Sequence, residues 1–388
     1  MKKNRNIFIL GMVSLFTDLS SQMIYPLIPE FLVGLGASKS LIGIIEGIAE
    51  GTASLFRTVF GRLSDKWKKR KLFVALGYGL STIAKPFLYL SASWSQVLAV
   101  RFIDRTGKGI RTPARDALIS DSAPANKKGA AFGFHRAMDR LGAAGGPLLA
   151  LLILYFAPGN LRLVFLLSAI PASIALIFII FAKEIRPEKS VVPTKEEASF
   201  QFDGKFLLFL ITVVIFTFGN SSNAFLILKA REVGVIPLLI PVVWLVYNLV
   251  SSASSPIFGR LSDRIGKKLV IAVSFIYYAV VYFFFGFSTT IAAVWILFGL
   301  YGIHYGLSEG VFRAHIADLV PSHKRATAYG MFNTAIGITL IPASMLTGYL
   351  WDAYSSSVAL YTCAGFALAA TVLFVGTNWI MKGSFPED

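Results

Sequence analysis

Between positions 101 and 116 the chain reads RFIDRTGKGIRTPARD. Coiled at 100° per residue, Arg101, Asp104, Arg105, Lys108, Arg111, Arg115 and Asp116 fall within an arc of about 140°. Phe102, Ile103, Thr106, Gly107, Gly109, Ile110, Pro113 and Ala114 fill the rest of the circle. Such a face can bind a charged solute. It can also carry protons, because a carboxyl that alternates between wet and paired states takes one up and gives it back. The same face can equally be a salt-bridge network that only ties helices together. Gly107-Lys108-Gly109 invites a phosphate-loop reading, but the strand, the four-residue gap and the Lys-Ser/Thr ending are missing.

Other stripes repeat the theme. Asp18, Gln22, Tyr25 and Pro29 share a face, as do Glu46, Glu50 and Arg57. His135 and Asp139 lie one turn apart, ahead of Gly142 and Gly146 on the same strip, and Tyr301, Tyr305, Glu309 and Arg313 line up. The expected assembly sets Asp18, Glu46, Glu50 and Asp139 against the bases of 101–115. Trp244, Tyr247, Tyr301 and Tyr305 offer an apolar wall, although packing or interfacial anchoring accounts for any one of them alone. The histidines show no zinc-ligand spacing and no G-x-S-x-G elbow appears, so no metal, no cofactor and no enzyme activity is expected. Cys363, alone in an apolar stretch, is expected to be inert packing.

These charges must be positioned by very apolar elements. Of 388 residues, 55% are hydrophobic and only 15% charged, against about a quarter in soluble domains. Apolar segments fall at 7–34, 40–60, 72–92, 95–121, 128–157, 161–182, 204–229, 236–258, 269–288, 290–320, 326–352 and 356–381, each near the 20 or so residues that cross a bilayer. Charges within such spans are expensive and should face water or paired partners. Pro26 and Pro29 should bend the first span. The net charge of +16 does not point to nucleic acid, because the basic residues cluster in short loops such as GRLSDKWKKRK at 61–71 and GRLSDRIGKK at 259–268. That bias places those loops and both termini in the cytoplasm.

The chain repeats. GRLSD at 61–65 recurs at 259–263, an offset of 198, and Asp121, Pro124, Lys128 and Gly133 recur as Asp318, Pro321, Arg325 and Gly330, an offset of 197. Six spans return the chain to its starting side, so the copies are parallel, which is the organisation of two lobes rocking about a midplane site. The expected domains are bundles at 1–182 and 204–388, joined by a polar, proline-containing cytoplasmic linker at 183–203 that reads as flexible or as a surface helix.

These motifs resemble the major facilitator superfamily. Both GRLSD stretches are similar to its G-x-x-x-D-R/K-x-G-R/K-R/K motif, with Lys68 departing from the usual glycine. The resemblance assigns Gly61, Asp65, Arg70, Gly259, Asp263 and Arg264 to a conformational latch across the bundle interface. Gly142, Gly146 and Pro147 are similar to the family's antiporter motif, although Ala150 and Leu151 stand where a glycine pair is usual. D-R-x-G-K-G-x-R in the fourth span resembles a branch of drug-exporter-like permeases. That branch usually reads S-S-E-M-I-Y-P and G-N-S-S-D-A-F; this chain keeps Asn220 but departs with Gln22 in SSQMIYP and Asn223 in GNSSNAF.

The expectation is an all-α integral membrane protein with twelve transmembrane helices in two pseudo-symmetric six-helix bundles. It would be a monomeric secondary transporter in the cell inner membrane, exporting a small-molecule solute with protons as the coupling ion. The alternatives are proton-coupled uptake of an organic anion, a membrane enzyme working through its charged face, and a non-transporting receptor or scaffold.

Overall fold

The computed structural model describes residues 2–67, 69–124, 127–185, 204–321 and 324–383. Lys68 and 186–203 of the expected linker lie outside the described residues. Among the described residues twelve helical stretches follow one another. We label them α1 (Lys2–Ile24 and Ile28–Gly34), α2 (Lys39–Trp67), α3 (Arg70–Leu90), α4 (Trp94–Ser122), α5 (Lys128–Phe156) and α6 (Leu161–Leu167 and Ala169–Phe181). The second set is α7 (Gly204–Gly219 and Ala224–Glu232), α8 (Ile240–Ile265), α9 (Lys267–Phe287), α10 (Ile291–Leu319), α11 (Arg325–Ala353) and α12 (Ser356–Gly383). Ten of these stretches are long and apolar enough to cross a membrane. The two that are not, α2 and α4, are the carriers of the charged stripes. Large apolar side chains such as Phe156, Ile180, Phe287 and Val372 stay exposed on the outside, where a bilayer solvates them.

Two helices break. In α1, Tyr25–Leu27 tightens to a 3₁₀ turn at Pro26, as the prolines lead one to expect. In α7, the sequence predicts a continuous helix, but residues 220–223 leave it. No proline is responsible. Ser222 Oγ accepts from the Ala224 amide, and the Ser222 amide donates to Ser344 Oγ of α11. Side chains thus replace the helical bonds that the break removes.

The stretches read as loops at 61–71 and 259–268 are largely helix. α2 runs to Trp67 and α8 to Ile265, leaving Gly266, at φ +94°, to make the turn into α9. Polar residues do not stop a helix, and Lys66 and Arg264 in the last turns complement its dipole.

The packing repeats between the two sets. α3 and α2 lie against α4, as α9 and α8 lie against α10; α1 packs on α5 as α7 packs on α11. The sets meet along two seams, α2 on α11 and α5 on α8. Where α3 crosses α4, a Cβ on Gly77 or Gly107 would strike the other's carbonyl oxygen, so the glycines that mimic a phosphate loop serve helix packing. Residues 183–185 begin the expected linker yet are pinned: Lys183 exchanges two hydrogen bonds with Asn6, and the Glu184 carboxylate accepts from the Arg70 and Lys71 amides that open α3.

Candidate functional site

α4 starts on a capped turn, Ser93 Oγ accepting from the Gln96 amide, and runs its charged face between α2 and α3. Arg101 is the deepest of these charges. Its guanidinium donates to both oxygens of Glu46 at 2.7 Å, and both side chains are almost wholly buried. Ser222, from the break in α7, donates to the same carboxylate at 3.4 Å. One turn on, Arg105 lies 3.3 Å from Glu50 and 3.7 Å from Asp104. Two acids of α2 therefore do meet the bases of α4.

The other charges sort differently. Arg111 turns away from α2. It donates to Ser81 Oγ at 2.5 Å and lies over the Tyr78 ring at 4.6 Å, between α3 and α4. Asp139, expected against α4, pairs instead with Ser14 of α1 and with His135, 3.5 Å away on its own helix. Arg115 is held by its neighbour Asp116 at 2.9 Å. Asp18 makes no ion pair among the described residues, and its electrostatic neighbours are Asp139, Arg115, Lys108 and Arg111. The end of α4 nearest GRLSD is the wettest, with the Asp116 side chain at 46% exposure against 4% for Arg101.

Lys85 joins this site although the sequence reading did not single it out. It is buried on α3 and donates to Ser20 Oγ at 2.5 Å and Ser21 Oγ at 3.3 Å. It borders a small cavity of about 20 Å³, lined by the polar Ser21, Tyr25, Arg101, Asp104 and Arg105 and the apolar Ile24, Ile28, Leu88 and Val100. That is room for about one water. Buried polar atoms of Arg101, Asp104 and Arg105 have no other partner there. The visible signal was a lone lysine within the apolar run 72–92.

The second set of helices answers with rings. Trp244 donates to Gln22 at 2.7 Å and packs on Tyr25, centroids 5.0 Å apart, so α8 meets α1 directly. Tyr247 stacks on Tyr301 at 5.2 Å and meets Tyr305 edge-on at 6.0 Å. The Tyr301 hydroxyl donates to Asn223 at 2.6 Å, and Asn220 lies half-buried in the same break of α7. Trp244, Tyr247 and Tyr301 are buried, leaving Tyr305 as the ring of this group that keeps substantial exposure. Glu309 and Arg313 form a loose pair at 3.8 Å.

Gly142 and Gly146 let α5 touch α1. A Cβ on either would strike the α1 backbone near Leu15 or Leu19, with Pro147 following on the buried side.

The latch residues stay within their own halves. Asp65 is exposed and lies 3.5 Å from Arg70, which also pairs with Asp121. The repeat reproduces this arrangement as Lys267 with Asp318 at 2.6 Å. Asp263 and Arg264 are exposed without an ion pair among the described residues, Gly61 approaches Pro113, and Gly259 faces open space. At the opposite end the halves are fastened. Arg231 of α7 grips Glu30 of α1 through two nitrogens at 2.7 and 2.9 Å, and Asp352 of α11 accepts from the Lys39 and Ser40 amides and from Ser40 Oγ. None of Arg231, Glu30 and Asp352 stood out in the sequence, since charges at helix ends look alike there.

Charged faces enclosed by apolar helices, organised as a repeated bundle with two seams, define a multi-pass membrane transporter. Comparison with known proteins names the class. The description "Major Facilitator Superfamily" matches residues 10–228 and 207–380, and the chain belongs to that family. It is 36% identical over 369 residues to an uncharacterised MFS-type transporter of Methanocaldococcus jannaschii, covering 92% of this chain and 91% of the relative. It is 26% identical over 316 residues to a multi-drug resistance efflux pump of Streptococcus pneumoniae, covering 79% and 78%. Among solved structures the fold is similar to a POT family transporter in complex with 5-aminolevulinic acid, at TM-score 0.80, 12% identity and 97% of each chain. It is similar also to a bacterial homologue of the human lysosomal transporter Spinster in an inward-facing, occupied conformation, at TM-score 0.76, 13% identity and 97% of each chain.

Proposed function

We propose that this protein exports a small organic solute by alternating access, with protons as the coupling ion, from a prokaryotic cytoplasmic membrane. Two lobes, 1–182 and 204–388, rock about the seams, the linker 183–203 joins them, and both termini and the GRLSD ends face the cytoplasm. The single chain is the working unit. One observation carries this reading. Hydrogen bonds and ion pairs between the lobes run from Glu30–Arg231 and Asp352–Ser40 down to Thr58–Thr334 at 3.0 Å and stop there among the described residues. A carrier sealed at one end and unfastened at the other is what alternating access requires of each half-cycle.

The direction rests on the glycines of α5 against α1, on the D-R-x-G-K-G-x-R stretch that resembles drug-exporter-like permeases, and on the likeness to the pneumococcal efflux pump. Asp18, without an ion pair, and Glu50, whose side chain keeps 29% exposure, are the proton carriers. In proteoliposomes, Asp18→Asn or Glu50→Gln is expected to abolish solute-driven pH changes. Unchanged proton movement in both variants overturns the coupling.

A further inference from the structure

We infer that the transported solute is an organic anion, and that its anionic group is held by Lys108 and Arg57 where α2 and α4 border the space between the lobes. This rests on the transport reading above and names the solute class.

The inference comes from how few carboxylates serve this corner. Glu50 has Arg105, Lys108, Arg101 and Arg57 as electrostatic neighbours. Arg101 is already matched by Glu46, and Arg105 lies between Glu50 and Asp104, the latter also facing the buried Lys85. Lys108 and Arg57 are left over: neither makes an ion pair within 4.0 Å among the described residues, and the buried Nε of Arg57 has no hydrogen-bond partner. Other nearby acids are committed or shared. Asp116 is bonded to Arg115, and Asp18 reaches Lys108 only at longer range while also serving Arg111 and Arg115. From the other lobe Arg57 feels Arg313, a further cation, whose Glu309 lies 3.8 Å off.

Two surplus cations at an incompletely dried seam attract negative charge. A cationic solute would have to sit beside both, or prise Arg105 from Glu50. An uncharged body has a place as well: in the other lobe the partly exposed ring of Tyr305 shares Arg313 with Arg57 as an electrostatic neighbour.

The test uses three molecules of one shape and different charge: phenylacetate, phenylacetamide and phenethylammonium. Full-length protein in proteoliposomes is expected to exchange phenylacetate by counterflow at least tenfold faster than either analogue, and phenylacetate is expected to raise its melting temperature in detergent. Lys108→Gln is expected to lower phenylacetate exchange at least tenfold. If that variant fails to fold, Arg57→Gln carries the same expectation. Exchange of phenethylammonium in preference to phenylacetate overturns the anion site and leaves the transport reading standing. Stabilisation by phenylacetate without exchange of any of the three keeps the anion site and overturns transport. Neither stabilisation nor exchange overturns the proposal.

Discussion

Superposing the repeat on itself sets two chemistries at equivalent places. With the offset of 198, Glu46 and Glu50 of α2 correspond to Trp244 and Asn248 of α8. With the offset of 197, Asp104, Lys108 and Arg115 of α4 correspond to Tyr301, Tyr305 and Phe312 of α10. Even the close crossing differs, Gly77 and Gly107 being matched by Ser274 and His304, whose ring nitrogen meets the Ser274 carbonyl at 3.1 Å. At these equivalent positions α8 and α10 pack without ions, Trp244, Tyr301 and Phe312 being buried there instead. Charge in α2 and α4 is therefore not demanded by the fold, and the desolvation it costs points to work done there.

Three single substitutions and one double substitution probe that contrast, beginning with the largest effect. Glu46→Gln strands the buried Arg101 and is expected to cost about 3–5 kcal/mol in detergent unfolding, since it leaves a buried charge without its partner. Adding Arg101→Gln should return most of that loss. A single variant as stable as the parent would mean that water reaches the pair and that the two halves are not so different. Gly107→Ala drives a methyl into the Gly77 carbonyl and should cost about 1–3 kcal/mol by the same measurement. No loss there would show that α3 and α4 can part freely. Trp244→Phe keeps the ring stack on Tyr25 and removes the bond to Gln22, for an expected loss of about 1 kcal/mol. A loss as large as that of Glu46→Gln would erase the distinction between the halves.

Much of this arrangement is written in the order of residues. Long apolar runs announce the spans, and the helical period brings Glu46 and Glu50 to the face that meets Arg101 and Arg105. Angles about one helix axis cannot say which neighbour occupies which side, however. Arg111 lies at the edge of the charged arc, and that edge faces α3, so it finds Tyr78 and Ser81 instead of the seam. The break in α7 depends on a hydroxyl from α11, more than a hundred residues distant, which no local pattern reveals. The extent of α2 and α8 was hidden for the opposite reason: polarity in GRLSD suggests a loop, yet those residues continue a helix comfortably.

The three hydrogen bonds that Asp352 accepts at the start of α2 have a bearing on turnover. A closure made of greasy bulk would have to hydrate that bulk before parting. Here the carboxylate leaves a polar helix end to which water can bind in its place. Such a fastening is selective in shape yet shallow in energy, since each bond exchanged with solvent changes stability by only about 1 kcal/mol. On the cycle proposed above, the resting time at that end should thus be short, leaving the slow step to the charged corner proposed to hold the solute.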